Sequence, residues 1–309
     1  MRSPRARIPK AFLLFWMAAL AAALCWGLLP GQASAQAKEY HMDRYDSTIT
    51  VNADGSMDIV ESLVYVFTSG TFRRGLRTWN LDRLEGIDVT GIAEESASSL
   101  VPYALGDFDR DASTSGVTGT YGTEKTNNEL RLRWIFGSTS NSSRTFQITY
   151  HVTGALRVYD DRDELDWYAV PPGWGSAIDR SQVNVIFPEG VDTSSWDVAA
   201  VPSLAQVSKQ GNTITWSTNS NLDNGFEIGA HIPKGTLAIT KPSWQDSFDR
   251  QTSEHLGNVS GITGSGVLGG LSGMQALADL VFFVFTSILL FGGMLWQTIG
   301  WIIGGSAGR

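Results

Sequence analysis

Two runs of alternating apolar residues flank Asp54-Gly55: Ile49 and Val51 before it, then Met57, Ile59, Leu63, Tyr65 and Phe67 after it. A period of two marks a strand with one buried face, and Asp-Gly between two such runs predicts a tight β-hairpin. The same pattern recurs at Leu130, Leu132, Trp134 and Phe136, and at Phe146, Ile148, Tyr150 and Val152. It returns at Val183, Val185 and Phe187, at Ile214 and Trp216, and at Phe226, Ile228, Ala230 and Ile232. Short strands split by Gly, Asn, Ser and Pro clusters predict an all-β domain over residues 36–246. The architecture expected is an antiparallel β-sandwich, or two small sandwiches in series with "PPGWG" at 171–175 as a candidate mid-point. No helix of useful length is expected before residue 270, and no repeat of fixed period is present.

The two ends of the chain break this pattern. Arg2, Arg5, Arg7 and Lys10 precede an apolar run from Ala11 to Leu29, followed by Pro30, Gly31 and the small residues Ala33 and Ala35. That layout predicts a secretory signal peptide over 1–35, cleaved before Gln36. Leu280 to Ile303 carries no charge, and as a helix it would reach about 36 Å, enough to span a bilayer with some tilt. A Gly/Ser-rich linker is expected over 247–276, a transmembrane helix over 277–303 and a short cytoplasmic tail over 304–309. The expectation is a single-pass protein of the cell membrane, with its main domain extracytoplasmic and its C-terminus cytoplasmic.

Export gives charge and cysteine usage a meaning. Cys25 is the sole cysteine and lies inside the signal, so the core must hold the mature domain without a disulfide. Removal of the signal takes four basic residues and no acids from a chain of net charge −8. So acidic a surface repels nucleic acid at long range, and nucleic acid is excluded as a partner.

Chemistry-bearing residues are few. Glu61 occupies the place between Ile59 and Leu63 on an apolar strand face, where an isolated carboxylate would cost several kcal/mol. Arg73, Arg74 and Arg77 follow within reach, so a structural ion pair with one of them is the leading expectation. An edge-strand charge or a ligand role are the alternatives. "YDDRDELDW" and the following turn offer Asp163, Asp166, Trp167 and Trp174 as a candidate binding patch, in which Trp either stacks on a sugar ring or packs in the core. Asp107, Asp109 and Asp111 alternate as in a calcium loop, but Ala112 replaces the required Gly and Thr118 the closing Glu, so no metal is expected. No Gly-x-Ser-x-Gly elbow, mature Cys or ligand-spaced His set is present; no catalytic residues and no cofactor are expected.

Two blocks carry a resemblance. "ITVNADGSMDIVESLVYVFTSGTFRRGLRTW" and "RTFQITYHVTGALRVYDDRDELDWYAVPPGWGSAIDRSQVNVIFPEGV" resemble the exported N-terminal region of predicted bacterial membrane proteins, catalogued as domain of unknown function 2207. The similarity spans roughly Tyr45 to Thr240 and departs at Thr78 and Trp79, where the family usually has a Pro. It implies a membrane-anchored exported domain with no established activity. The function expected is a non-enzymatic binding or structural module of the cell envelope, its partner an envelope protein or polymer. The alternative is a glycan-directed envelope hydrolase using an acidic, Trp-lined groove.

Overall fold

The computed structural model describes residues 37–252, save 97–98, 109–115, 220 and 223–224. The signal peptide and the transmembrane helix expected from the sequence lie outside the described residues, as do Asp109 and Asp111. Among the described residues no helix is long and apolar enough to cross a membrane.

The chain is all-β. β1 (Glu39–Val51) and β2 (Met57–Ser69) form the hairpin around Asp54-Gly55, where Gly55 takes φ 78°, a conformation that favours glycine. β3 (Phe72–Asn80) leaves for another layer. β4 (Gly86–Ser96) and β5 (Ser99–Pro102) return to the hairpin's sheet, and β6 (Ala104–Leu105), β7 (Thr120–Lys125) and β8 (Glu129–Thr139) join β3. β9 (Ser142–Thr153) pairs with β2, while β10 (Arg157–Val158) and β11 (Arg162–Val170) open a third layer. The remaining strands among the described residues are β12 (Ser181–Ile186), β13 (Val198–Val201), β14 (Gln206–Gln210), β15 (Thr213–Thr218) and β16 (Phe226–Pro233).

One large sheet, in the order β14-β15-β12-β1-β2-β9-β4-β5, backs two small ones, β3-β8-β7-β6 and β10-β11-β16-β13. The sandwich is therefore neither single nor split into two in series. The join is β1, which pairs antiparallel with β2 and parallel with β12, placing Ser47 opposite Val183 across more than a hundred residues of sequence. "PPGWG" is a turn within this one body and not a boundary.

Burial follows the alternation. Met57, Ile59, Leu63, Tyr65 and Phe67 of β2 and Phe146, Ile148, Tyr150 and Val152 of β9 all face inward. Leu130, Leu132, Trp134 and Phe136 of β8 close over them, with the Trp134 and Phe136 rings 5.5 and 5.0 Å from that of Phe146. Such edge-to-face and tilted contacts add to area burial in holding a disulfide-free core. Gly75 of β3 lies opposite Trp134, and a Cβ there would come within 2.0 Å of the indole, so only glycine lets the two strands close.

Residues 245–252 are helical, where a linker was expected from 247 onward. The segment is packed: Gln245 is fully buried and bonds both the N–H and the carbonyl of Val158, and the Trp244 indole donates to the Gly154 carbonyl at 2.7 Å. Trp244 and Phe248 are four residues apart and so share one helical face, which carries them onto the domain.

Candidate binding cleft

Between the two small sheets lies a cleft of about 1700 Å³. All nine residues of β3, Phe72 to Asn80, line one wall, whereas neighbouring β8 contributes the alternate residues Glu129, Arg131, Arg133 and Ile135 together with Phe136. A strand seen face-on presents every second residue, so the uninterrupted run means that β3 is seen edge-on. β11 presents the consecutive residues Asp166, Trp167 and Tyr168 on the other wall, continued by Pro171 to Trp174. Tyr40, Tyr65 and Phe67 of the large sheet also line the cleft, as do Trp244 and Phe248 at the helical segment.

Glu61 sits beside this cleft but not on it. Its side chain is fully buried, and Arg77, itself 3% exposed, grips it in a fork, with Nε to Oε2 at 3.2 Å and Nη2 to Oε1 at 3.0 Å. Tyr150 donates to Oε1 at 2.7 Å, the third guanidinium nitrogen donates to the Thr78 carbonyl, and the Trp79 ring lies 4.6 Å from the guanidinium. Burial, the largest single effect, would weaken the Arg77 cation. The Glu61 charge, its hydrogen bonds and the neighbouring Tyr45 and Tyr150 hydroxyls together outweigh it and hold the pKa above the ordinary range. Burial pushes the Tyr150 and Tyr45 hydroxyls well up, so both stay neutral. The cluster thus ties β2 of the large sheet to β3 of a small one. Arg73 and Arg74 line the cleft instead, Arg74 more exposed than Arg73.

The acidic and Trp candidates do not form one patch. Asp163 and Asp166 are three apart on β11 and so face opposite ways. Asp163 is buried against Lys234, 2.8 Å away, and lies off the cleft. Asp166 is on it, held by Arg83 at 2.9 Å. Trp167 and Trp174 both line the cleft, Trp167 almost wholly buried and Trp174 set edge-on to Tyr45 at 5.5 Å.

The residues missed by sequence reasoning are Arg83, Tyr168 and Glu227. Tyr168 lies opposite Glu227 in the β11–β16 ladder, and Asp166 lies opposite Gly229, which makes Asp166 and Glu227 diagonal neighbours on one face. Glu227 is 1% exposed, and neither of its oxygens makes a hydrogen bond of ordinary geometry among the described residues. Burial first, and then the charge of nearby Asp166, push its pKa to about 9. Glu227 thus stays protonated at neutral pH. The alternation of Phe226, Ile228 and Ala230 put Glu227 on the face away from the core, which in sequence reads as solvated. Arg157 closes the far end, bonded to Glu164 at 3.2 Å and Asp249 at 2.9 Å. Among the described residues no three His, Cys, Asp or Glu side chains converge as metal ligands.

Residues 41–232 match the family described as "Predicted membrane protein (DUF2207) N-terminal domain". The chain belongs to this family. The DUF2207 match takes in β3, β8 and β11, the strands that form the walls of the cleft. No curated protein matches the sequence. Among solved structures, yeast LTA4 hydrolase in complex with bestatin is similar at 9% identity and a TM-score of 0.38, over 65% of this chain and 31% of that one. The M1 zinc metallopeptidase from Deinococcus radiodurans is similar at 11% identity and a TM-score of 0.33, over 65% of this chain and 44% of that one. The DUF2207 chain thus spans less than half the length of these structures.

Proposed function

We propose that this DUF2207 domain is a non-enzymatic binding module of the cell envelope and that the cleft between β3 and β11 is its binding site. In this reading the segment from Leu280 to Ile303 anchors it, with the β-domain outside the membrane and the C-terminus in the cytoplasm. The observation that carries the reading is the make-up of the cleft: strand edges, aromatic rings and arginines on a continuous surface. Hydrolysis by a carboxyl pair needs both groups at the substrate. Here Asp166 reaches the cleft bound to Arg83, while Glu227 behind it is shut away from solvent.

The test is a photo-crosslinking residue placed at Leu76, a half-exposed position on the cleft, in intact cells. The control carries the same residue at Leu204, exposed and off the cleft. Crosslinks specific to position 76 support the reading; none, or the same products at both positions, would sink it. The closeness of Asp166 and Glu227 favours a second reading as a glycan hydrolase. Release of products from cell-wall glycan by the purified chain, lost in Asp166→Asn, would establish that instead.

A further inference from the structure

We infer that the Asp166 end of the cleft is a subsite for a lysine side chain of a polypeptide partner, an inference that rests on the cleft's being the binding site and names the group it takes.

Asp166 lines the cleft and is 9% exposed, and Glu227, its diagonal neighbour on β16, is 1% exposed. Arg83, from the connection between β3 and β4, bonds Oδ2 of Asp166 at 2.9 Å. Oδ1 of Asp166 and both oxygens of Glu227 make no hydrogen bond of ordinary geometry among the described residues. Three buried acceptors thus lie together at the cleft wall, where each costs free energy until a donor reaches it. An ammonium group has three donors and no acceptor, so it matches this set in number and in charge. A guanidinium seeks the paired oxygens of a carboxylate, and Arg83 already holds one of the Asp166 pair. A calcium ion wants about six or more oxygens, and no three ligating side chains converge among the described residues.

The groups that face Glu227 are Asp166 and Tyr168 of β11 and Arg83, while β13 places the uncharged Val201 opposite it. Two carboxyls therefore share one guanidinium, and in the free protein a proton on Glu227 balances the charge. An incoming ammonium takes that proton's place. Both carboxyls are then ionised against two cations, and one proton leaves to solvent for each lysine bound. The fit is to a lysine rather than to an amine fixed on a ring. Glu227 lies behind Asp166, so the charge has to be carried inward on a slender stem. Tyr168, on the same face as Asp166, and Phe248, whose ring lies 5.5 Å from the Arg83 guanidinium, line this end of the cleft and suit a run of methylenes. For entry the partly exposed Arg83 side chain turns aside.

The experiment uses the purified full chain in detergent and a rhodamine-labelled, end-blocked Gly-Gly-Lys-Gly-Gly peptide. Anisotropy should show affinity rising by up to about tenfold per unit between about pH 6 and 8, as the proton on Glu227 becomes easier to displace. Acetylating the lysine should abolish binding, and glucosamine should not compete. Calorimetry at neutral pH in buffers of different ionisation enthalpy should report release of about one proton per peptide. Glu227→Gln should match the parent at the low-pH end and fall behind it as pH rises, a pattern that loss of a merely structural group does not give. Arg83→Gln should tighten binding several-fold, because the ligand is then the one cation beside both carboxyls. Should a variant not fold, proton release by the parent decides. No binding, an affinity independent of pH, no proton release, equal binding of the acetylated peptide, or competition by glucosamine would overturn the inference. Crosslinks from position 76 in cells, alongside any of these failures, would retain the binding site and reject the lysine subsite.

Discussion

Replacing Arg77 with Met removes the cation from a site where Glu61 stays fully buried. Met keeps the length and apolar stem of the arginine, so the change isolates charge and hydrogen bonding from packing volume. Glu61 would retain the Tyr150 hydroxyl at 2.7 Å but lose two hydrogen bonds, at 3.0 and 3.2 Å. Stranding one partner of a buried pair costs about 3–5 kcal/mol. In a domain of this size each kcal/mol lowers Tm by about 2–4 °C, so Arg77→Met should melt about 6–20 °C below the parent. Glu61→Gln, which strands the arginine instead, should cost about 1–4 kcal/mol. The double variant Glu61→Gln/Arg77→Met leaves no uncompensated charge and should recover at least about 1 kcal/mol of the summed loss. Thermal and urea unfolding of the four proteins closes the cycle. Additive losses, or an Arg77→Met cost below about 1 kcal/mol, would refute the view that this fork is what joins β2 to β3.

Glu227 makes stability depend on pH. Its pKa rises from an ordinary 4.5 to about 9 on folding, so between those values the folded state keeps a proton that the unfolded state has released. The contribution is full below pH 4.5 and declines as pH rises towards 9, and Glu227→Gln should remove up to about 1.4 kcal/mol per pH unit of that decline. Parallel pH–stability curves for parent and variant would refute this. Gly75→Ala should cost about 1–3 kcal/mol, read as a lowered Tm, because its methyl would collide with the Trp134 ring. Deleting residues 280–309 should move the protein from the membrane fraction to the medium or periplasm, and continued membrane fractionation would contradict the anchor.

The cleft explains why the candidate residues looked unrelated in sequence. Arg73 and Arg74 belong to one small sheet, Trp167 and Trp174 to another and its following turn, and the large sheet brings the two walls face to face. Of the buried pair, Glu61 lies off the cleft while Arg77 is among its lining residues, so the same arginine that ties β2 to β3 also belongs to the cleft wall.

The alternation by itself determined the inward faces of β2, β8 and β9, because a period of two fixes the face on which a side chain emerges whatever covers it. The Asp54-Gly55 turn set the first hairpin, and Glu61 in its apolar row required a partner. Parity with Trp79 already turned Arg77 inward and Arg74 outward, a signal local enough to read. What covers each face is a matter of distant segments, and there the sequence is silent. Only the tertiary structure decided that β12 lies beside β1, that one sheet backs two, and that Asp166 meets Glu227 some sixty residues away. Glu227 lay on a face that alternation marks as outward, and its burial comes from neighbours that local pattern does not encode. The helical segment at 245–252 is intermediate. Its polar composition reads as linker, while Trp244 and Phe248, four residues apart, carry a local helical signal, and packing against β10 and Gly154 turns that signal into structure.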